Sequence, residues 1–301
     1  MKIAIVIPTH YRLNLLLKLI ESLQLSASKV NDLELYYIVV FDEREEENSL
    51  KLKSKYSFIH TVIGNGNWWF TKSVNEGIKY GYRFGPDCFL TINDDLEVAE
   101  DYLKNLVLSS THFPQSFIGS VSADIENRRK ILFSGIKKKI WLLLKNVSYN
   151  NLTEDIIIQE PVKVRKSVVL PARGLLLPKT LLDDIGLFDE RFPQYGSDDE
   201  IVLRARKKGY TSYICLDALL YSHWKETGYG DLRLNPSIGE VIKGMFNEYS
   251  ILHLRKNSRL VAMYAHPVIV PITLVLNVVI ILRRWLINKM YNLKFRFVPV
   301  K

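Results

Sequence analysis

Phe89–Val98 reads FLTINDDLEV. An apolar, β-branched run stops abruptly at Asn93-Asp94-Asp95. A buried strand that delivers carboxylates together at its C-terminal tip puts charges where they repel one another and resist burial. They are either solvated turn residues or the seat of something positive. The surrounding chain decides which kind of sheet this strand belongs to. Upstream, Ile3–Ile7 is wholly apolar and β-branched, as in a buried parallel strand, and Pro8-Thr9-His10 breaks it. Leu16, Leu19, Ile20 and Leu23 follow at helical spacing. LYYIVVFDE forms a second strand ending at Asp42, and HTVIGNGN a third ending in a glycine-rich turn. Thr71 to Tyr82 reads as a helix, DCFLTIN as the fourth strand, Asp101 to Ser109 as a helix and SFIGSVSA as a fifth strand. Strands alternating with helices predict a mostly parallel α/β sheet flanked by helices. In such a sheet ligands bind outside the carboxyl ends of the strands. Asp42, Gly64–Asn67 and Asn93–Asp95 all follow predicted strand ends, so they are expected on one edge.

Beyond residue 130 the pattern loosens. KKKIWLLLKN and VKVRKSVVLPARGLLLP suggest further strands of a mixed sheet. A short helix, a Pro/Gly-rich loop, a helix from about Asp198 to Lys208 and a strand at Thr211–Cys215 follow.

The chain has 301 residues and a formal net charge of +9, with 41 Lys and Arg against 32 Asp and Glu. Nine of those bases and no acid lie between Ile251 and Lys301. Removing the nine leaves 32 against 32, so the first 250 residues are neutral. That excludes a basic nucleic-acid-binding body and predicts a local basic surface at the C-terminus. We therefore expect a domain over 1–250 and a basic, hydrophobic helical segment over 251–301. Within the latter, Leu260 to Leu282 is nearly free of charge but carries His266, Pro267, Pro271 and Asn277, with Arg283, Arg284, Trp285 and Lys289 behind it. Its length suits a bilayer span, and its prolines suit an interfacial segment better. A helical hairpin covering the domain is the alternative. Two cysteines, Cys88 and Cys215, each in an apolar run, read as buried thiols of a reducing compartment. The N-terminal MKIAIVIPTH is too short for a signal-peptide core. Both point to the cytoplasm.

No G-x-G-x-x-G follows the first strand, no G-x-x-x-x-G-K-[ST] occurs, and no Cys/His spacing suggests structural zinc. Asn93-x-Asp95 follows a strand, and His223 follows another apolar run in LLYSHWKETG. Mn²⁺ or Mg²⁺ accepting carboxylate, imidazole and diphosphate oxygens would neutralise the strand tip. Asp198, Asp199 and Glu200 form a second acidic cluster at a helix mouth, where one could serve as general base to a hydroxyl. Each feature has a plainer reading: turn and cap residues for Asn93–Asp95, dipole partners for Asp198–Glu200, a satisfied core histidine for His223.

Four blocks in order resemble the inverting family 2 glycosyltransferases of GT-A fold, over roughly residues 1 to 225. IVIPTHYR resembles the first, nucleotide-contacting loop. INDDLEV resembles the metal-binding D-x-D region, with Asn93 in place of the first Asp. GNGNWWFTKSVNEGI resembles the version in rhamnosyltransferase-type bacterial members. ARGLLLPKTLLDDIGLFDERFPQYGSDDEIVLRARKKGY resembles the acceptor and catalytic-base region. The resemblance implies that Pro8, Thr9 and Asp42 contact base and ribose, and that Asn67, Lys72, Asn75 and Asp94 lie near the rest of the donor. It implies Asp95 as main metal ligand, with His223 and Asn93 beside it. Asp198 becomes the base, with Asp199 its rival, and Trp68, Trp69, Arg173 and Glu200 line the sugar or acceptor pocket, the tryptophans being equally readable as core. The implied reaction is a single in-line displacement, moving a sugar from a nucleotide-diphosphate donor (dTDP-rhamnose or a UDP-hexose) to a glycan or lipid-linked acceptor. The implied setting is bacterial surface polysaccharide synthesis, such as O-antigen assembly, at the cytoplasmic face of the inner membrane. The basic tail would then hold the anionic bilayer. Oligomeric state, a homo-oligomer included, is left open. Two rivals stand beside this reading: a nucleotidyltransferase, which needs a glycine-rich basic loop that IPTHYR lacks, and a non-catalytic nucleotide-sugar-binding module with a decayed site.

Overall fold

The expected alternation becomes β1 (Lys2–Thr9), α1 (Leu13–Ala27), β2 (Glu34–Phe41), α2 (Glu46–Lys55), β3 (Ile59–Ile63), α3 (Trp69–Gly81), β4 (Cys88–Thr91), β5 (Leu96–Val98), α4 (Tyr102–His112) and β6 (Ser116–Asp124). The computed structural model describes residues 1–43, 45–224, 232 and 235–296, with side chains through Met290. Next come β7 (Ile131–Phe133), β8 (Ile136–Ile140), β9 (Lys145–Ser148), β10 (Ile157–Gln159), β11 (Val162–Lys166), β12 (Leu175–Pro178), α5 (Lys179–Ile185), α6 (Ser197–Lys207) and β13 (Thr211–Ser222). The main sheet runs β10-β11-β13-β6-β12-β4-β1-β2-β3, with β5 and β7 added off this path.

Strands β3, β2, β1 and β4 are parallel neighbours, Ile3 to Val6 of β1 standing opposite Cys88 to Thr91 of β4. The chain moves outward from β1 to β2 and β3, then returns to the other side of β1 to lay down β4. That reversal makes β1/β4 the switch point where an open α/β sheet leaves a crevice. β12 then pairs antiparallel with β4, which makes the sheet mixed.

β1 is buried on both faces, as its unbroken apolar run requires. Ile3, Ile5 and Ile7 pack with Leu16, Leu19, Ile20 and Leu23 of α1 and with Leu103 and Leu106 of α4. Ala4 and Val6 pack with Val74 and Ile78 of α3 and with Ile201 and Val202 of α6. The approach of α3 is close because two of its inner positions are glycine. A Cβ at Gly77 would stand 2.4 Å from Val6 Cγ1, and one at Gly81 2.8 Å from Ile38 Cδ1. The small residues thus seat α3 deep on β1 and β2, which fixes where its first turn meets the carboxyl edge.

The 139–148 region departs from expectation. KKKIWLLLKN joins no central sheet: β8 and β9 form a separate two-stranded sheet, with a tight turn at Trp141–Leu143 between them. Leu144 takes a left-handed backbone (φ 47°), and the lysines of β8 and β9 are exposed or half-buried, so no strand face is apolar enough to be covered on both sides.

The chain divides into two compact units. One takes in 1–138, 147–193 and 197–226; the other takes in 139–146, 194–196 and the described residues of 227–301. The second unit carries α7 (Ile238–Phe246), α8 (Leu254–Tyr264) and α9 (Val270–Arg296). The apolar run read over 260–282 is split between α8 and α9. Pro267 ends α8, because the residue before a proline is driven out of the helical region. Pro271 is tolerated in the first turn of α9, where its missing N–H has no partner to lose.

Candidate active site

Four parallel strands bring their carboxyl ends to one edge, and the residues expected there do converge. Thr9 closes β1 and Asp94 follows β4, and Thr9 Oγ1 donates to Asp94 Oδ2 at 2.7 Å across the switch point. Arg12, just before α1, places Nη1 3.2 Å from Asp94 Oδ1 and 3.8 Å from Asp95 Oδ2. Both aspartates are buried, Asp95 completely. Burial pushes the Asp94 carboxyl up to about 6, against the pull of Arg12 and the Thr9 hydroxyl. Burial raises Asp95 too, with Arg12, Arg173 and His223 acting in the opposite sense. Neither carboxylate oxygen of Asp95 accepts a hydrogen bond among the described residues, and neither does the buried Oδ1 of Asn93.

His223 reaches this place through strand pairing. β5 runs antiparallel to the end of β13, matching Leu96 with Ser222. The next residue, His223, therefore lies beside Asp95 and donates its backbone N–H to the Asp95 carbonyl at 3.0 Å. Its Nε2 is 3.1 Å from Glu97 Oε1. Glu97 had no role in the sequence reading. Its alternate position in the short strand after the acidic tip was the available signal.

Asp42 follows β2, and both of its oxygens are engaged. Oδ1 accepts from Trp68 N at 2.7 Å and Oδ2 from Trp69 N at 2.9 Å. Two of the orphan donors at the start of α3 are thereby satisfied, and the left-handed backbone of Trp69 (φ 54°) is held in place. Asn67 is exposed and its N–H bonds back to Asn65 Oδ1. Lys72 Nζ stands 5.7 Å from the Trp68 ring centre. Asn75 is buried and its amide clamps the loop before α6: Nδ2 donates to the Phe188 carbonyl and to Glu190, while Oδ1 accepts from Phe188 N.

The second acidic cluster enters through α6. Thr71 of α3 donates its hydroxyl to Ser197 Oγ at 2.8 Å and its N–H to the Pro193 carbonyl at 2.9 Å, tying the starts of the two helices together. Asp198 occupies the first turn of α6, and its Oδ1 accepts from Asp199 N at 2.9 Å. Burial and the neighbouring Asp199 charge raise the Asp198 carboxyl, with Arg173 countering. Arg173 thus exerts its field on Asp95 and Asp198 alike. Gly174 fixes its place: the glycine has φ 77°, and a Cβ there would meet the Tyr102 hydroxyl and Leu220 at 2.6 Å. Glu200 is buried and gripped by Arg204, Nε to Oε1 at 3.0 Å and Nη2 to Oε2 at 2.8 Å. The same guanidinium donates to the Ile185 and Leu187 carbonyls.

A divalent cation fits these residues in chemistry. Asp95 and Asn93 offer three buried oxygens without hydrogen bonds, and hard oxygen donors suit Mg²⁺ and Mn²⁺. Among the described residues no group of three or more His, Cys, Asp or Glu is placed to hold a metal ion, so these residues alone do not complete a coordination shell.

Comparison with known proteins agrees with the geometry. The family model described as Glycosyl transferase family 2 matches residues 4–156. The dTDP-rhamnosyl transferase RfbF of Shigella flexneri is 25% identical over 184 residues, covering 60% of this chain and 57% of that protein. GalNAc-T7, solved with UDP, GalNAc and Mn²⁺, superposes with a TM-score of 0.57 at 13% identity, over 73% of this chain and 43% of that one. TarS 1–349 of S. aureus superposes with a TM-score of 0.51 at 15% identity, over 88% and 70%. The chain therefore spans little more than half of the rhamnosyl transferase and under half of GalNAc-T7, and these structures share its fold.

Proposed function

The chain belongs to glycosyl transferase family 2, and from that premise we propose that it is an inverting glycosyltransferase using a nucleotide-diphosphate sugar. The observation that carries the reading is the pairing of two different acidic clusters at one sheet edge. One lies at the β1/β4 crevice, where the buried Asp95 carboxylate and Asn93 Oδ1 accept no hydrogen bond among the described residues; the other opens a helix, and Arg173 acts on both. The first suits a diphosphate held through a cation, the second a hydroxyl to be deprotonated. Asp198 takes the proton of the acceptor hydroxyl. The oxygen attacks the anomeric carbon, the bond to the nucleotide diphosphate breaks, and configuration inverts. Asp95, Asn93 and His223 would hold Mn²⁺ or Mg²⁺, whose charge would stabilise the leaving diphosphate. Thr9 and Arg12 orient the carboxylates, and Trp68 and Trp69, fixed through Asp42, border the donor side.

Likeness to a dTDP-rhamnosyl transferase favours a deoxythymidine-diphosphate rhamnose donor over a UDP-hexose, and a glycan or lipid-linked acceptor of surface polysaccharide. Calorimetric titration with dTDP and UDP, with and without Mn²⁺, tests this. Metal-dependent binding of one nucleotide that Asp95→Ala abolishes supports it; absence of binding under all conditions overturns it.

We also propose that the second unit meets the cytoplasmic membrane face. Pro267–Met290 has a mean hydropathy of 1.9, and α9 inverts the usual pattern of a surface helix. Its polar Thr273 and Asn277 are buried, while Ile272, Val275, Val279, Leu282, Leu286 and Met290 are exposed. On α7, Ile238, Ile242 and Phe246 repeat every four residues and are exposed, while Val241 and Met245 pack with Ile281 of α9. An apolar outer face beside Arg283, Arg284 and Lys289 suits the acyl boundary of an anionic bilayer. Of the nine tail bases, Lys294, Arg296 and Lys301 lie outside the described side chains. The full chain should float with phosphatidylglycerol vesicles and not with phosphatidylcholine ones; failure to float with either refutes the membrane reading.

A further inference from the structure

Asp94 and Asp95 are buried acids at the tip of a strand, and the cation that ion-pairs with both is a residue of the chain, Arg173 adding its field at Asp95. Arg12 Nη1 lies 3.2 Å from Asp94 and 3.8 Å from Asp95. A guanidinium stays charged and offers only donors, so it can neutralise these carboxylates but cannot join them in holding a metal. A divalent cation bound at about 2.1 Å from an Asp95 oxygen would stand within a few ångström of that like charge. Two further observations bear on the choice between them. The position that would add a first carboxylate is Asn93, which leaves the cluster with two acids, and Arg12 supplies one compensating charge. Asp95 is reached only at 3.8 Å and neither of its carboxylate oxygens accepts a hydrogen bond among the described residues, so the guanidinium neutralises the pair without filling its coordination positions.

The position of Arg12 is set by its neighbour. Tyr11 turns the chain through a left-handed backbone (φ 52°), donates its N–H to Glu45 Oε1 at 3.0 Å and bonds its hydroxyl to Glu43. The turn is thereby pinned to the segment after β2. The Arg12 side chain is one-third exposed, long, and stands at the lip rather than the floor of the site. It can withdraw without disturbing the sheet.

We infer that Arg12 is a built-in counter-cation whose charge competes with the divalent cation for Asp94 and Asp95, so that metal loads onto this site against that charge and is held more weakly because of it. The inference rests on the metal reading of the proposed function. It assigns the metal affinity of the donor-free protein to a residue outside the ligand set.

The test is calorimetric titration of Mn²⁺ into the donor-free full chain at pH 8, for the wild type, Arg12→Gln, Arg12→Lys and Arg12→Gln/Asp95→Asn, each checked for folding by thermal unfolding. The expected result is that Arg12→Gln binds Mn²⁺ at least tenfold tighter than wild type. Arg12→Lys, which keeps the charge, should stay near wild type, and the double variant should lose the gain. Equal or weaker binding by Arg12→Gln, with the wild type still binding, overturns the competition and leaves the metal reading standing. Arg12→Lys binding as tightly as Arg12→Gln also overturns it, because charge would then not be the cause. If no variant binds Mn²⁺ at millimolar concentration, both the competition and the metal reading fall.

Discussion

Asn93-Asp94-Asp95 and Asp198-Asp199-Glu200 are alike in composition, yet the fold treats them in opposite ways. The first cluster follows a parallel strand and lies in no helix. Its support comes from Thr9 and Arg12, and neither carboxylate oxygen of Asp95 accepts a hydrogen bond among the described residues. The second opens α6, where backbone N–H groups and the helix dipole favour negative charge. There Asp198 accepts from a backbone N–H, and Glu200 is closed into a forked pair with Arg204. The difference teaches that clustered acids are not one kind of site. Position along the element decides which carboxylate is left without a hydrogen bond, which accepts from a helix N–H and which is locked into an ion pair.

Breaking the comparison at Asp198 should have the largest effect. Asp198→Asn removes the proposed base and should lower turnover by about a thousandfold, in the range of general-base losses, while nucleotide binding measured by calorimetry stays within a factor of about two. Asp199→Asn should leave a working enzyme. Removing the Asp199 charge removes a cause of the raised Asp198 carboxyl, so the acid limb of its pH–rate profile should move to lower pH. Loss of all turnover in Asp199→Asn with activity retained in Asp198→Asn would exchange the two roles.

Glu200 tests the structural member of the same cluster. Glu200→Ala leaves the Arg204 guanidinium without its forked partner in a largely buried place, which costs about 3 kcal/mol. The change should appear as a lower midpoint in denaturant, with turnover per folded molecule little altered. A stable variant with lost acceptor binding would instead place Glu200 in the sugar pocket.

The sequence carries much of this and hides the rest for physical reasons. The β-branched runs and their carboxyl-end punctuation specify β1 to β4, and with them the edge on which the acids gather, because period and strand length are local properties. Asp95 and His223 each follow an apolar run, and that is all the sequence shows of their meeting. The antiparallel match of Leu96 with Ser222 that joins them is long-range. Asp42, Asn75 and Arg12 show the limit. Asp42 and Arg12 flank a strand and a helix and Asn75 lies inside α3, and only the packed structure tells that Asp42 caps α3, that Asn75 clamps the loop at Phe188, and that Arg12 leans onto Asp94. Trp141–Leu143 shows another limit: its apolar run reads as strand, and the turn at Leu144 cuts it out of the sheet. The tail, read as one apolar segment, is divided by Pro267, although its apolar outer face was foreshadowed by composition.

The smallest effect sharpens the first cluster. Thr9→Val removes the hydroxyl that donates to Asp94 Oδ2 and keeps the volume nearly unchanged. The Asp94 carboxyl titrates at about 6 in the folded chain, against roughly 4 for an exposed one. The folded state therefore holds a proton that the unfolded chain releases, and the stability this group contributes is full below about pH 4 and lost as pH rises through about 6. The Thr9 hydroxyl favours the charged form, so its removal raises that carboxyl further and deepens the loss on the alkaline side. We expect Thr9→Val to cost about 1.5 kcal/mol at pH 8, the order of a hydrogen bond to a charged group, and much less at pH 5, where Asp94 is largely protonated. Denaturant unfolding at the two pH values reads the difference directly. An equal cost at both would mean that Thr9 supports the β1/β4 edge through packing alone, and that Asp94 owes its ionisation to Arg12.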